Sequence, residues 1–486
     1  MWHERPARAS AAFAAKAANA RPGRSCHEKY MEESKRNYTK LILGIVLLAI
    51  VARLGVMVGM KRWNSPNAIE HRQLAASLVD SGTFSFREAM FDDYGPSSVQ
   101  SPPYPFILAT CFKIFGKETH ASYAAAMVLN AIVAGVGVWL LYRLVLEWGG
   151  NEITAVLAAL MLAIWPSQVY AATQVQAISI IITAVIAILY FFAISVRTGD
   201  VTPWIAYSLV GTLAALTEPV LLPILALSGL MIFVWRGNLT LSQRTRNAAI
   251  LFAAAVLIIF PWTYRNRIVH GQWIPIKSTF WVNVWKGNNP FATGTDRVAL
   301  TEERLAQLGM KNLEINTDRF TNPQYDSQHQ YDMLTGGQRN ELLGKSEAER
   351  EEVFKKYAKT WIKENPGRYF QLCVKRLWMS GWADLDNPKA RNPIYLVCRA
   401  LLMPTTVIGL LLAWRKRWKF IFPLLLWGSC LMTYTLTVTA NRFTLPFEPL
   451  QFALLALLVT PVIQKFIGRE PHGVDVSPQT LQSSRV

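Results

Sequence analysis

The sequence predicts an all-α integral membrane protein of about ten transmembrane helices, with amphipathic helices in two large loops on one face. Three observations carry that expectation. Of 486 residues, 52% are hydrophobic and only 17% charged, against about 25% charged in ordinary soluble domains. Apolar runs long enough to cross a hydrocarbon layer of roughly 30 Å recur along the chain. Lys and Arg gather at the ends of those runs, as topology signals do.

The apolar runs place spans near 41–60, 121–146, 152–170, 174–195, 203–219, 220–236, 247–264, 394–414, 420–438 and 444–464. Lys35, Arg36 and Lys40 precede the first, and Arg197 follows the fourth. Arg236, Arg244 and Arg246 lie between the sixth and seventh, and Arg415, Lys416, Arg417 and Lys419 between the eighth and ninth. Lys465 and Arg469 follow the tenth. Counted through the spans, all fall on one side, which predicts cytoplasmic termini in the inner (cytoplasmic) membrane. The division that follows is a tail at 1–38, a transmembrane core at 39–264 holding a first outer loop at 61–120, and a large outer segment at 265–393. The C-terminal transmembrane helices at 394–465 and a tail at 466–486 complete it. Residues 1–30 are rich in Ala and Arg without an apolar run, so they read as an extension ahead of Met31 and not as a secretory signal.

The formal net charge of +18 sits at span ends, where it serves topology and anionic lipid, and no nucleic-acid module accompanies it. Cys26, Cys111, Cys373, Cys398 and Cys430 form no CxxC pair, which argues against structural zinc and a disulfide framework. No P-loop or nucleophile elbow is present.

The outer loops are where chemistry can sit. In the first, Ser65 as N-cap and Pro66 at the first helical position predict a helix. Glu70, Gln73, Ser77 and Asp80 share one of its faces, and Ala75, Leu78 and Val79 another. Residues 104–116 are apolar but too short to span, which suits an interfacial or re-entrant helix. In the second, Glu347 to Lys363 reads as a charged amphipathic helix stopping at Asn365-Pro366-Gly367. An aromatic-rich interfacial helix runs from Arg368 to about Trp382. Glu70 is a candidate general base on a substrate hydroxyl, with Asp92 and Asp93 in the same loop as further candidates. A solvated polar face explains the same pattern, and periodicity does not separate the two. Arg265, Arg442 and Lys286 are candidates for a lipid phosphate, arginine because its planar fork donates two hydrogen bonds. Snorkelling to ordinary headgroups is the plainer alternative for each. Glu218 lies near the outer end of the fifth span, where an acid avoids facing lipid.

The stretch Pro261-Trp262-Thr263-Tyr264-Arg265-Asn266 is followed by Gly271-Gln272-Trp273-Ile274-Pro275, then by Trp285-Lys286-Gly287-Asn288-Asn289-Pro290 and Ala292-Thr293-Gly294. Glu70 with Ala75, Ser77, Leu78, Gly82 and Phe84, Pro102-Pro103-Tyr104-Pro105, and Arg442-Phe443-Thr444-Leu445-Pro446 with Glu448-Pro449 complete the pattern. Across roughly residues 40–465 this resembles bacterial GT-C membrane glycosyltransferases, relatives of protein O-mannosyltransferases and of the lipid A aminoarabinose transferase. The resemblance implies transfer of a sugar from a polyprenyl-phosphate donor, at the outer (periplasmic) face, to a hydroxyl on a glycan, lipid or protein, usually with inversion. It implies a first-loop carboxylate as base and basic residues holding the departing phosphate, with Asn266, Asn288 and Tyr104 as candidate substrate contacts. The family's usual Asp aligns with Asn67, so Glu70, one turn on, takes that role. No cofactor or metal ligand set is expected, although a divalent cation beside Asp92 and Asp93 fits the chemistry. A transporter or flippase is the alternative reading. It predicts repeat symmetry and ionisable groups near the midplane, whereas this chain puts its polar mass into the outer loops.

Overall fold

The computed structural model describes residues 26–88, 93–234, 239–296, 334–383, 385, 388–413 and 417–466. The described residues of the ten apolar runs lie mostly in helices. The core begins with α1 (Cys26–Gly59), which continues through a 3₁₀ turn, Arg62–Asn64, into the first long loop. That loop holds α2 (Ile69–Ser81), an antiparallel hairpin of β1 (Ser85–Glu88) and β2 (Asp93–Pro96), and α3 (Pro103–Phe115). Then come α4 (His120–Glu147), α5 (Glu152–Ile164), α6 (Pro166–Ala171), α7 (Ile178–Thr198), α8 (Val201–Thr217), α9 (Leu222–Val234) and α10 (Leu241–His270). The segment after α10 contributes α11 (Phe280–Gly287), α12 (Gly336–Leu342), α13 (Glu347–Glu364) and α14 (Pro366–Gly381). The helices α15 (Pro393–Ala413), α16 (Arg417–Leu436) and α17 (Glu448–Phe466) return through the core.

Among the described residues, five helices are long and apolar enough to cross a membrane, and six shorter apolar helices pack with them. The central pair α4 and α7 is flanked by α1, α5 and α8, and α17 closes the bundle against α5 and α15. Small residues permit the close approaches: at Gly137 a Cβ would press on the Thr183 side chain, as tight helix packing in lipid favours. Leu43, Leu47, Phe252 and Leu257 stay more than half exposed and form a lipid-facing exterior.

Two sequence expectations change in detail. The run at 152–170 is not one helix: Pro166 removes an N–H and clashes with the preceding turn, so the chain breaks between α5 and α6. The carbonyls freed there are satisfied by the buried Arg53, which donates to Leu162 O (3.0 Å) and Ala163 O (2.8 Å). Beyond the break, Ser167 Oγ and Gln168 Nε2 each donate to Glu448 at 2.7 Å. The other change is the start of α2. The helix opens at Ile69 and Ser65 closes the preceding 3₁₀ turn instead of capping it. Gln176 Nε2 donates to the Asn67 carbonyl (3.2 Å), holding residues 66–68 out of the helix. Asn67 therefore stands outside the helix, and Glu70 lies in its first turn, where the helix dipole favours negative charge.

The second segment follows the sequence closely. Ser346 and Glu349 form a capping box at the start of α13. On α14, Phe370, Val374, Leu377 and Trp378 make an exposed stripe opposite buried Leu372, Cys373, Arg376 and Met379, the two faces of an interfacial helix.

Candidate active site

The polar face of α2 is mostly taken up by the protein itself. Gln73 Oε1 accepts from the Arg87 N–H (3.2 Å), Ser77 Oγ donates to Thr83 O (2.9 Å), and Lys117 Nζ pairs with Asp80 at 2.8 Å. Glu70 differs. It is partly buried, and no hydrogen bond or ion pair reaches its carboxylate from the described residues.

Beside it, His71 packs its ring on Tyr104 with centroids 5.1 Å apart. Burial pushes the His71 imidazole down to about 4, Glu70 opposes that shift, and the charges of Lys277 and Arg442 add to it. The ring is thus neutral near pH 7, and its Nδ1 is sealed without a partner. The Tyr104 hydroxyl accepts from Asn130 Nδ2 at 3.3 Å, and the same amide donates to Gln174 O at 2.9 Å. Arg62 Nη2 donates to Gln174 Oε1 (3.1 Å) and stands over the Tyr170 ring. These contacts tie the floor of the site to α4 and to the stretch between α6 and α7.

Two cations from later in the sequence act on His71. Arg442 is exposed on the 3₁₀ turn Asn441–Phe447, its guanidinium over the Phe443 ring. Lys277 lies in the loop between α10 and α11. Among the described residues neither has a carboxylate partner. The charges of Glu218 and Arg442 both reach the Tyr434 hydroxyl, so a second acid borders the same region.

Most of the other motif residues bond to the protein's own backbone and side chains. Arg265 Nη1 donates to Ser97 O (2.7 Å) and Asn266 Oδ1 (3.1 Å), its Nη2 donates to Phe84 O (3.1 Å), and the group stacks over Trp262. Asn266 is fully buried and donates to Ile274 O (3.0 Å) and Ile276 O (3.2 Å). Asn288 donates to Val284 O (2.8 Å) and Thr437 O (3.1 Å) and accepts from Arg376 Nη2 (3.0 Å). Gly287 lets that turn lie on the chain at Thr437, where any Cβ would run into the Thr437 carbonyl. Lys286 is half-buried one residue before that glycine. Asp92 lies outside the described residues, and Asp93 is described in its backbone alone, paired with Glu88.

His71, next to Glu70 in the chain and packed on Tyr104, is a residue the pattern of apolar and polar residues did not single out. Lys277 belongs to none of the motif stretches quoted above. The signal for either is tertiary, namely a charge acting on a buried ring nitrogen that has no partner.

Residues 99–264 match a family described as dolichyl-phosphate-mannose-protein mannosyltransferase. No curated protein matches the chain. Among solved structures, the oligosaccharyltransferase AglB of Archaeoglobus fulgidus, in complex with an inhibitory peptide and a dolichol-phosphate, superposes with a TM-score of 0.51. It is 14% identical and covers 90% of this chain and 53% of its own. The same archaeal enzyme tethered to an acceptor peptide containing the NVT sequon gives 0.52 at 13% identity, over 90% and 52%. ArnT of Cupriavidus metallidurans bound to undecaprenyl phosphate gives 0.39 at 12% identity, over 89% and 79%. The chain spans about half the length of the archaeal enzyme it matches. The chain shares its fold with that archaeal enzyme.

Proposed function

We propose that the protein is a membrane glycosyltransferase that moves a sugar from a polyprenyl-phosphate donor to an acceptor hydroxyl, with its site on the outer face. The observation that carries the reading is that the charges of one carboxylate, Glu70, and two cations, Lys277 and Arg442, all act on buried His71, with no ion pair joining them among the described residues. The mannosyltransferase match over 99–264 and the fold shared with an enzyme solved with a dolichol-phosphate support the same class.

The chemistry follows from the charges. The acceptor hydroxyl attacks the anomeric carbon from the side opposite the phosphate. A bond from that carbon to the acceptor oxygen forms as the bond to the phosphate oxygen breaks, which inverts the centre. Glu70 takes the hydroxyl proton. The electron pair leaves with the polyprenyl phosphate, whose charge Arg442 and Lys277 hold in donor and product alike. Neutral His71 and Tyr104 line the floor, where they offer hydrogen bonds without adding a charge. In this assignment Arg265, Asn266 and Asn288 position the walls.

The test is a deletion strain. Mass analysis should show one polyprenyl-phosphate-linked sugar accumulating while one envelope glycan, lipid or protein loses that sugar. Unchanged levels of both would overturn the reading.

A further inference from the structure

The groups holding Lys277 in place lie far away in sequence. Glu347 is the first residue of α13, and its carboxylate faces the first outer loop. It accepts from Ser97 Oγ at 2.6 Å, from the Ser98 N–H at 2.8 Å and from Ser278 Oγ. His270 Nε2 stands 3.8 Å from it and 2.8 Å from Ser98 Oγ. The Ser278 N–H donates to Ser98 O at 2.9 Å. On the other side of Lys277, the Ile276 carbonyl accepts from Trp262 Nε1 (2.8 Å) and Asn266 Nδ2 (3.2 Å). The backbone is pinned at 276 and at 278, while the ammonium between them has no carboxylate partner among the described residues.

One turn along α13, Glu351 performs a similar task. It accepts from the N–H groups of Trp281 (2.8 Å) and Val282 (3.2 Å), capping the start of α11. Charge-assisted hydrogen bonds of this kind are short and directional, so α13 holds residues 278–282 at two points.

We infer that Glu347 is a positioning residue that sets Lys277 against the donor phosphate by clamping Ser278 to Ser97 and Ser98. This rests on the function proposed above. The carboxylate touches no substrate itself. Its effect reaches the phosphate through a lysine that a single freed turn would let swing away.

The experiment is a double-mutant cycle on donor kinetics with the full-length protein in nanodiscs and a short-chain polyprenyl-phosphate sugar. Glu347→Gln keeps the shape and one acceptor but loses the charge. It should raise donor KM about tenfold with kcat within about twofold, as should Lys277→Met. The double variant should be no worse than Lys277→Met alone, since a clamp has nothing to place once the lysine is gone. Glu349→Gln, which removes only a helix cap, is the control and should leave KM unchanged. Ser278→Ala offers a milder version if Glu347→Gln melts early. Additive losses in the double variant, or wild-type KM in Glu347→Gln, would overturn the inference and leave the proposed function standing. A wild type that transfers no sugar from any polyprenyl phosphate would instead remove the function, and this inference with it.

Discussion

The C-terminal end of α10 and the first turn of α2 are both rich in polar and charged groups, yet they are built on opposite terms. Around Arg265, Asn266, Ser98 and Glu347, donors and acceptors are matched between three segments far apart in sequence. Around His71, the charges of Glu70, Lys277 and Arg442 form no ion pair with one another among the described residues, and the ring's Nδ1 has no partner. A satisfied network rigidifies a fold, whereas a partly satisfied one is costly and persists where a ligand completes it. Arginines at the outer ends of spans can therefore serve quite different ends.

The largest expected effect falls on Glu70. Glu70→Gln keeps size and hydrogen bonding but cannot take the proton, so turnover should fall about 10²–10⁴-fold with donor affinity nearly intact. Single-turnover kinetics on purified protein would check this, and wild-type turnover would return Glu70 to the solvated face of α2. Next comes Gly287→Ala in the network that braces the second segment. The added methyl collides with the Thr437 carbonyl, so the variant should lose several kcal/mol, as overpacking against backbone does at about 1–3 kcal/mol or more. A fall in melting temperature beside an unchanged Gly337→Ala control, where a Cβ meets open space, would confirm it.

A smaller effect concerns pH. His71 is held well below its ordinary value by burial, so the unfolded chain binds a proton that the folded one refuses between about pH 6.5 and 4. The stability contribution is complete above about 6.5 and declines as pH falls through that window. His71→Phe, which keeps the ring on Tyr104, should flatten the melting temperature over the same range. An unchanged pH profile in that variant would show that the imidazole is not the group responsible.

Much of the architecture was legible because membrane spans are set by local composition: apolar runs become helices wherever the chain has enough of them. The break at Trp165-Pro166 was foreshadowed by its proline. The late start of α2 was not, because it depends on Gln176 reaching back to Asn67 across 109 residues. The site was legible only as a list of ionisable residues at the right end of the membrane. Arg265 and Arg442 look alike in sequence, each in a recognisable stretch at a span end. Whether the guanidinium meets carbonyls or open space is decided by Phe84 and Ser97 in one case and by their absence in the other. His71 escaped notice because a lone histidine on an amphipathic helix has no pattern to betray it.

The most direct measurement sets those two arginines side by side. Arg442→Ala and Arg265→Ala would be purified in nanodiscs, and each assayed for affinity toward a polyprenyl phosphate and for melting temperature. Arg442→Ala should bind about ten- to a hundredfold more weakly, the loss of a charge-assisted contact, and melt like the wild type. Arg265→Ala should melt markedly lower, because it orphans the Phe84 and Ser97 carbonyls, while whatever remains folded binds normally. Normal binding in Arg442→Ala together with weakened binding in well-folded Arg265→Ala would contradict the account, and would move the phosphate site to the end of α10.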